Sequence, residues 1–285
     1  MACCGCCARD AIGDSVNHGA NDRLYTLMTW NVDYSSPLPG QRLSSVLSHT
    51  LSLSPAVGII FLQEVSREAF QVLLNEPDIR HGWFLSDADA VLAAGQSFTT
   101  LTLLSKARFR KPGPIWRVKY PSRFERDALC CDVFAASPSY KPGEGTRIRP
   151  VNVHLDSLPI QPSLRPKQVS IAAALLHSAG RGIVAGDFNP VLPGDDTLVQ
   201  DSGLVDAWAE LHPADPGFTL GVDGKEPFPP NRMEKIAVFG LRAQEVEVLS
   251  LDNIIRRDHV GEVDDEAVAW SDHSGLKCSF KLVGS

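Results

Sequence analysis

Short apolar runs of strand length, each ending or beginning in a small polar cluster, constrain this chain more than any other feature. The clusters are Thr29-Trp30-Asn31-Val32-Asp33, Leu62-Gln63-Glu64-Val65, Gly186-Asp187-Phe188-Asn189 and Ser271-Asp272-His273. The first three follow an apolar segment and the fourth precedes one. A buried strand excludes charge, because an unpaired carboxylate stripped of water is destabilised by several kcal/mol. A carboxylate at the very end of a strand escapes that cost. It sits at the rim of a sheet, within reach of a cation or a substrate. Several such rims in one chain point to a single acidic site suited to a divalent metal.

The rest of the chain reads as strands interleaved with helices. Residues 56–62 form an unbroken apolar run, which predicts a central strand. Further strands are predicted over 24–30, 99–104, 128–135, 148–155, 182–185, 235–239, 245–251 and 276–282. Leu43, Val46, Leu47 and Leu51 recur at helical spacing over 43–53. Residues 67–74 read as a helix stopped by Pro77. Residues 166–178 read as another, with Pro166 in its first turn and Gly180 just past its end. The Pro/Gly-rich stretches 137–146 and 212–231 do not separate two complete strand sets, so they read as surface excursions within one domain. Many strands with few helices predict an α/β fold of packed sheets flanked by helices. Residues 1–22 are small, polar and without period. They are expected to be a disordered tail, leaving 23–285 as one domain.

Composition narrows the function classes. A chain of 285 residues that is 44% apolar can bury a sizeable core. A net charge of −7 argues against a protein that coats nucleic acid or an anionic membrane. One segment departs from that balance. Lys106, Arg108, Arg110, Lys111, Arg117, Lys119, Arg123 and Arg126 face only Glu125 within 106–126. That segment is either a solvated hairpin face or an anion-binding wall beside the acidic site. No apolar run approaches the roughly 20 residues that span a bilayer, and the N-terminus has no apolar secretory core. The expectation is an intracellular, reducing location, nucleus and/or cytoplasm, and a monomer, since no oligomerisation seam is evident.

The seven cysteines fit that setting. Cys130, Cys131 and Cys278 lie in apolar runs and read as core thiols. Cys3, Cys4, Cys6 and Cys7 cluster in the tail. Their C-x-x-C spacing lacks a second Cys/His pair to complete a zinc site. S-palmitoylation of the tail is the alternative, to be tested by hydroxylamine release from membranes.

Taken singly, each polar cluster has a plain explanation. Asn31 with Asp33, and Asp187 with Asn189, are ordinary turn chemistry. Glu64 is a strand-terminal carboxylate, His154 a strand-terminal imidazole, and Asp272-His273 a loop pair. Together they are the parts of metal-assisted phosphodiester cleavage. That reaction needs oxygen ligands for a hard cation, a group to orient or deprotonate water, and donors for charge on the phosphate. No G-x-S-x-G, H-E-x-x-H or Walker-type loop competes with this reading.

The ordered motifs T-W-N-x-D, L-Q-E-V, H-L-D-S, G-D-F-N and S-D-H-x-G-L, over about residues 24–283, resemble the endonuclease/exonuclease/phosphatase superfamily. Within it the pattern looks most like the tyrosyl-DNA phosphodiesterase 2 branch. The resemblance implies a four-layer α-β-β-α sandwich with two packed mixed or antiparallel sheets. It implies a Mg²⁺ cofactor, with Mn²⁺ as the substitute, held chiefly by Glu64 and lined by Asp33 and Asp272, with Asn31 on the metal and phosphate side. Asp187, supported by Asn189, would orient or deprotonate water. His273 would stabilise the transition-state charge, and His154 would donate to a phosphate oxygen. Arg126 would face the phosphate.

The implied reaction is hydrolysis of a 5′-phosphotyrosyl bond at a DNA end, leaving a 5′-phosphate, so the implied partners are DNA 5′ ends and protein–DNA adducts. The chain departs from the family pattern in places. Arg232-Met233-Glu234-Lys235-Ile236 replaces Arg-x-Asp-Arg-Ile, so Glu234 stands where an Asp would pair with His273. Asp156 replaces the Glu of H-L-E-S, Phe188 the Thr of G-D-T-N, and Phe218-Thr219-Leu220 the segment Y-T-W. These departures keep two alternatives open. One is the same chemistry on a phosphoinositide, sphingolipid or nucleotide phosphoester. The other is a weakly active binding or scaffold homologue.

Overall fold

Two strand–helix–strand units organise the chain, and both aim their strand ends at one rim. In the computed structural model, residues 24–93, 95–136, 145–222, 224, 228–256 and 266–283 are described. The first half comprises β1 (Tyr25–Asn31), α1 (Pro39–Ser52), β2 (Ile59–Ser66), α2 (Arg67–Asn75), α3 (Pro77–Gly82), β3 (Trp83–Leu85), β4 (Phe98–Ser105), β5 (Ile115–Lys119), β6 (Asp127–Cys131) and β7 (Val133–Ala136). The second half comprises β8 (Gly145–His154), α4 (Arg165–Ala179), β9 (Gly182–Asp187), α5 (Leu198–Asp201), β10 (Val205–Asp206), α6 (Ala207–Leu211), β11 (Glu234–Phe239), β12 (Leu241–Leu249), β13 (Asn253–Arg256), β14 (Glu266–Ala269) and β15 (Gly275–Leu282).

One sheet has the order β12-β15-β1-β2-β4-β3. The other has the order β10-β11-β9-β8-β6-β5, with β7 also on β8. The sheet pairings β1–β2 and β8–β9 are parallel. A parallel neighbour needs a crossover, which α1 and α4 supply. The C-terminal ends of β1, β2, β8 and β9 therefore carry Asn31, Glu64, His154 and Asp187. The antiparallel neighbours β11 and β15 bring their N-terminal ends to the same place: Glu234 registers against Asp187, and Leu276 against Thr29.

Three apolar clusters hold four layers together. Leu27, Ile59 and Phe61 of the first sheet meet Ile148, Ile183 and Ile236 of the second. Met28, Ile60 and Leu62 on the outer face of the first sheet meet Val46 and Leu47 of α1 and Phe70 and Leu73 of α2. Val151, Val153 and Val184 on the outer face of the second meet Val169, Ala173 and Leu176 of α4. This is the expected α-β-β-α sandwich, and its central strands are apolar on both faces because both faces are covered.

Several expectations need revision. The run 128–135 is two strands, because it breaks at Asp132. That carboxylate takes paired hydrogen bonds from Arg149, 2.7 Å from Nε and 3.0 Å from Nη2, and its backbone turns to meet Gly113 and Pro114. The first helix begins at Pro39, ahead of its apolar stripe, since proline is tolerated where no helical N–H partner exists. The stretch 212–231 is not merely a surface excursion. Thr219 and Leu220 are buried, and Leu220 bridges both Asn231 and His273. The basic segment 106–126 divides: Arg110, Lys111, Lys119 and Arg123 are exposed, while Arg126 reaches the rim beside His154. Arg117 is held by Asp87 and Asp127, Lys106 by the Arg80 carbonyl, and Arg123 by that of Pro162. Cys130, Cys131 and Cys278 are buried, with the Cys130 and Cys278 thiols pushed up to about 12 by desolvation. The tail cysteines and residues 1–22 lie outside the described residues.

Candidate active site

The site is assembled from strand ends whose backbone is bent on purpose. At the end of β2 the pairing with β4 slips between Leu62 and Val65, and Glu64 takes a left-handed φ of 58°. Asp33 and Asn189 are also left-handed, at 48° and 46°. Such conformations cost about 1–3 kcal/mol each for side chains other than glycine and gather where function fixes the backbone. At the end of β9, Gly186 has a φ of 143°, and a Cβ there would meet the Val153 carbonyl oxygen at 1.9 Å. Only glycine lets β9 lie that close to β8 while delivering Asp187 to the rim.

Asn31 sits at the centre. Its Nδ2 donates to Glu64 at 3.2 Å and to Asp187 at 3.1 Å. Its Oδ1 accepts the Asp33 backbone N–H at 3.0 Å, which fixes the amide's orientation. Burial raises the pKa values of the Glu64 and Asp187 carboxyls above the ordinary range, and each carboxylate's neighbours of like charge add to the rise. Asp187 is steered by the Asn189 backbone N–H at 2.9 Å, and the Asn189 amide is tied to the Leu155 carbonyl at 3.2 Å.

A second arm comes from the opposite strands. His273 Nδ1 lies 2.6 Å from Glu234 Oε1, both buried. Burial opposes the charged ring, yet Glu234, Asp187 and Asp272 hold its pKa well above the ordinary value, so the ring is an imidazolium. The extra methylene of Glu234 is accommodated, and its contact with the imidazole is made. Thr219 anchors this arm: its hydroxyl accepts the Met233 and Glu234 N–H groups, and its carbonyl accepts that of Ser274.

His154 carries the opposite charge state. Burial, then Arg126 and His273, hold its pKa well below the ordinary value, so the ring is neutral. Its Nε2 lies 3.2 Å from Arg126 Nη2, 3.5 Å from Asp187 and 3.7 Å from Glu64. A guanidinium has only hydrogens to offer, so this contact is a hydrogen bond in the tautomer whose proton sits on Nδ1, an atom that is buried without a partner of its own. In this arrangement His154 orients Arg126, and donation to an anion falls to the guanidinium. Arg126 also donates to Ser157 and lies over the Phe98 and Phe124 rings, 5.0 and 5.7 Å from their centroids.

The structure brings Asn31, Glu64, His154, Arg126, Asp187, Asn189, Glu234 and His273 together. It leaves Asp33 and Asp272 at the edge. Burial would raise the Asp33 carboxyl, but bonds from Ser36 and Ser35 and the nearby Arg42 hold it low; it caps its own turn. Asp272 is solvent-facing, its carboxylate 3.9 Å from His273 Nε2. Asp187, Glu234 and His273 also bring possible ligand atoms within 4.8 Å of one another. An imidazolium bonded to a carboxylate is a poor ligand, however. The fitting donors are the Glu64 and Asp187 carboxylates, hard oxygen ligands that share the Asn31 Nδ2 group and that a cation would neutralise, while the Asn31 oxygen is turned onto the Asp33 N–H.

A family model described as the Endonuclease/Exonuclease/phosphatase family matches residues 28–273. The chain belongs to the endonuclease/exonuclease/phosphatase family. Its fold is similar to that of D. rerio TDP2 complexed with single strand DNA product, at 21% identity and a TM-score of 0.66, covering 90% of this chain and 99% of that one. It is similar also to C. elegans TDP2, at 18% identity and 0.65, covering 90% and 75%. A third relative in fold is the Bacteroides thetaiotaomicron mannosyl-6-phosphatase, at 15% and 0.64, covering 90% and 99%. No protein of curated function matches the sequence. Family members hydrolyse phosphoester bonds, and the chain carries that framework.

Three contributors to this family site escape a motif reading. Arg42, fully buried on α1, donates to the backbone carbonyls of Val32, Asp33, Ser36, Pro37 and Trp270, tying the loop after β1 to the segment before β15. Gln63 and Asn152 form an amide pair between the sheets at 2.8 Å, and Asn152 also caps the Leu62 and Leu101 carbonyls. Phe98 and Phe124 line a cleft beside the site with Thr100, Arg126 and His154. An arginine in a helix's apolar stripe was the available signal for the first; the other two depend on pairing across the fold.

Proposed function

We propose that this chain is a Mg²⁺-dependent phosphodiesterase that cleaves 5′-phosphotyrosyl or similar bonds at DNA ends, leaving a 5′-phosphate, with Mn²⁺ able to substitute. The observation that carries the reading is the Asn31 amide shared between Glu64 and Asp187, flanked by an imidazolium on one side and a guanidinium on the other. Glu64, steadied by the Asn31 amide N–H, would hold the cation, whose chemistry would be to neutralise charge on the phosphate oxygens. Asp187 holds and accepts the proton of the attacking water; Asn31 and the Asn189 N–H aim its two oxygens. His273, kept charged by Glu234, faces charge that grows on the phosphorane. Arg126, oriented by His154 and Ser157, binds the phosphate, and the Phe98 and Phe124 faces beside it support an aromatic or nucleobase neighbour. A DNA substrate would place the protein in the nucleus and/or cytoplasm.

One observation favours a second reading with the same chemistry. Leu220, in place of an aromatic residue, is buried against the His273 backbone and offers no ring for a base. A phosphoinositide, sphingolipid or nucleotide phosphoester is the corresponding substrate. The scaffold alternative loses its motive, because Glu234 keeps the contact with His273. Turnover of a 5′-phosphotyrosyl oligonucleotide, measured beside those phosphoesters with Mg²⁺, separates the readings. Preference for the oligonucleotide upholds the first, preference for another ester the second, and turnover of none contradicts both.

A further inference from the structure

Arg126 reaches the site from a short loop, and the loop is held by a residue with no assigned role. Residues 120–126 join β5 to β6, and Glu125 within them has a left-handed φ of 57°. Besides the Tyr120 N–H to Arg126 carbonyl bond that closes the loop, two bonds run through one hydroxyl: Ser122 Oγ accepts the Phe124 N–H at 2.9 Å and the Arg126 N–H at 3.1 Å. Ser122 in turn donates to Asp156 Oδ1 at 2.5 Å, and the Arg123 N–H donates to Asp156 Oδ2 at 3.1 Å. Asp156 is buried, two residues beyond His154 at the exit of β8. The first turn of α4 completes the junction. Gln168 Nε2 donates to Asp156 Oδ1 at 2.8 Å and to the Pro121 carbonyl at 2.9 Å. Arg165 Nη1 donates to the Asp156 carbonyl at 2.6 Å.

We infer that Asp156 is a positioning residue: through Ser122 it sets the direction of the Arg126 guanidinium toward a bound phosphoryl group. The geometry argues for this over simple loop stability. Both carboxylate oxygens are spent on the Arg126 loop and on the helix that supports it, and only Arg123, Phe124 and Glu125 separate Ser122 from Arg126. A carboxylate accepts all three donors at once. An asparagine, with a single acceptor oxygen, cannot serve both the Ser122 and Arg123 sides. The shorter Asp, where the family pattern has Glu, keeps β8 and the loop at the separation these bonds require.

The inference rests on the proposed phosphoester site, so the test reads anion binding apart from turnover. Inorganic phosphate is titrated calorimetrically into the full chain, into Asp156→Asn and into Ser122→Ala, each with Arg126 present and with Arg126→Ala. The expected result is affinity about tenfold weaker in either variant when Arg126 is present, and less than twofold weaker when it is absent. Equal weakening in both backgrounds, or no weakening, overturns the inference. So does a wild-type chain that binds no phosphate. If Asp156→Asn fails to fold, Ser122→Ala decides alone, since that hydroxyl is only half-buried. A chain that binds phosphate through Arg126 in this pattern but turns over no ester with Mg²⁺ contradicts the hydrolase reading and leaves the positioning role standing.

Discussion

Asp187 touches the Asn31 amide, the Asn189 N–H and the edge of the His154 ring. Asp187→Asn removes its charge and basicity with little change of shape. Turnover should fall by about 10²–10⁴-fold while the thermal midpoint stays level or rises, because a buried carboxylate beside others of like charge has been relieved. Wild-type rates in that variant contradict the assignment.

The pH profile follows from the two histidines and the carboxylates. His273, whose pKa is raised above 6.5, must stay charged, so activity declines as pH rises through its folded-state pKa. Glu64 and Asp187 must be ionised, so activity falls on the acid side as they take up protons; both are raised by burial in the metal-free chain, and a bound cation would lower them. The sign for stability agrees: the His273 contribution is full below 6.5 and is lost as pH rises through the folded-state value. Glu234→Gln weakens the partner that keeps the ring charged, so its alkaline limb should move to lower pH; an unmoved limb in the measured rate profile contradicts the pairing.

At the scale of elements, the strand ends do the positioning, and the backbone has no slack there. Gly186→Ala places a methyl against the Val153 carbonyl in a conformation alanine avoids, so urea denaturation should show a loss of about 3 kcal/mol or more. Asn152→Ala removes one of the two partners of the buried Gln63 amide, leaving Thr29, and strips the Leu62 and Leu101 carbonyls of a donor, so it should cost about 1–3 kcal/mol. Its effect should extend to catalysis, since Asn152 also holds the Leu62 carbonyl next to the bulge that presents Glu64.

These elements also show what sequence carries and what it withholds. Apolar runs and their polar tips were legible because a two-sided buried strand tolerates charge only at its end. The residues at 64, 187 and 273 could be named for that reason. The split at Asp132 was not legible, because it depends on Arg149 seventeen residues later. The burial of Leu220, the amide pair and the ion pairing of Arg117 with Asp87 were hidden for the same reason: each is decided by a partner that only the folded sheets bring near. Asp33 and Asp272 carry carboxylates next to the right strands, and the fold sets them at the rim of the site, Asp33 bonded to its own turn and Asp272 3.9 Å from His273. Whether a carboxylate faces the centre or caps its own turn is a matter of local backbone geometry.

The whole molecule concentrates acid where its four layers meet solvent at one rim. Among the described residues no helix is long and apolar enough to cross a membrane. A chain built this way should be stabilised by the cation it attracts. Magnesium at a hundredfold excess over its dissociation constant should add about 2.7 kcal/mol, seen as a higher thermal midpoint. Chelation should remove that gain, and Glu64→Gln should abolish it. A midpoint indifferent to Mg²⁺ contradicts the metal reading. The most direct test is an anomalous difference map from crystals soaked in Mn²⁺. The account predicts one strong peak about 2 Å from a Glu64 carboxylate oxygen, beside Asn31 and Asp187. A peak between Glu234 and His273 instead, or none at this rim, contradicts it.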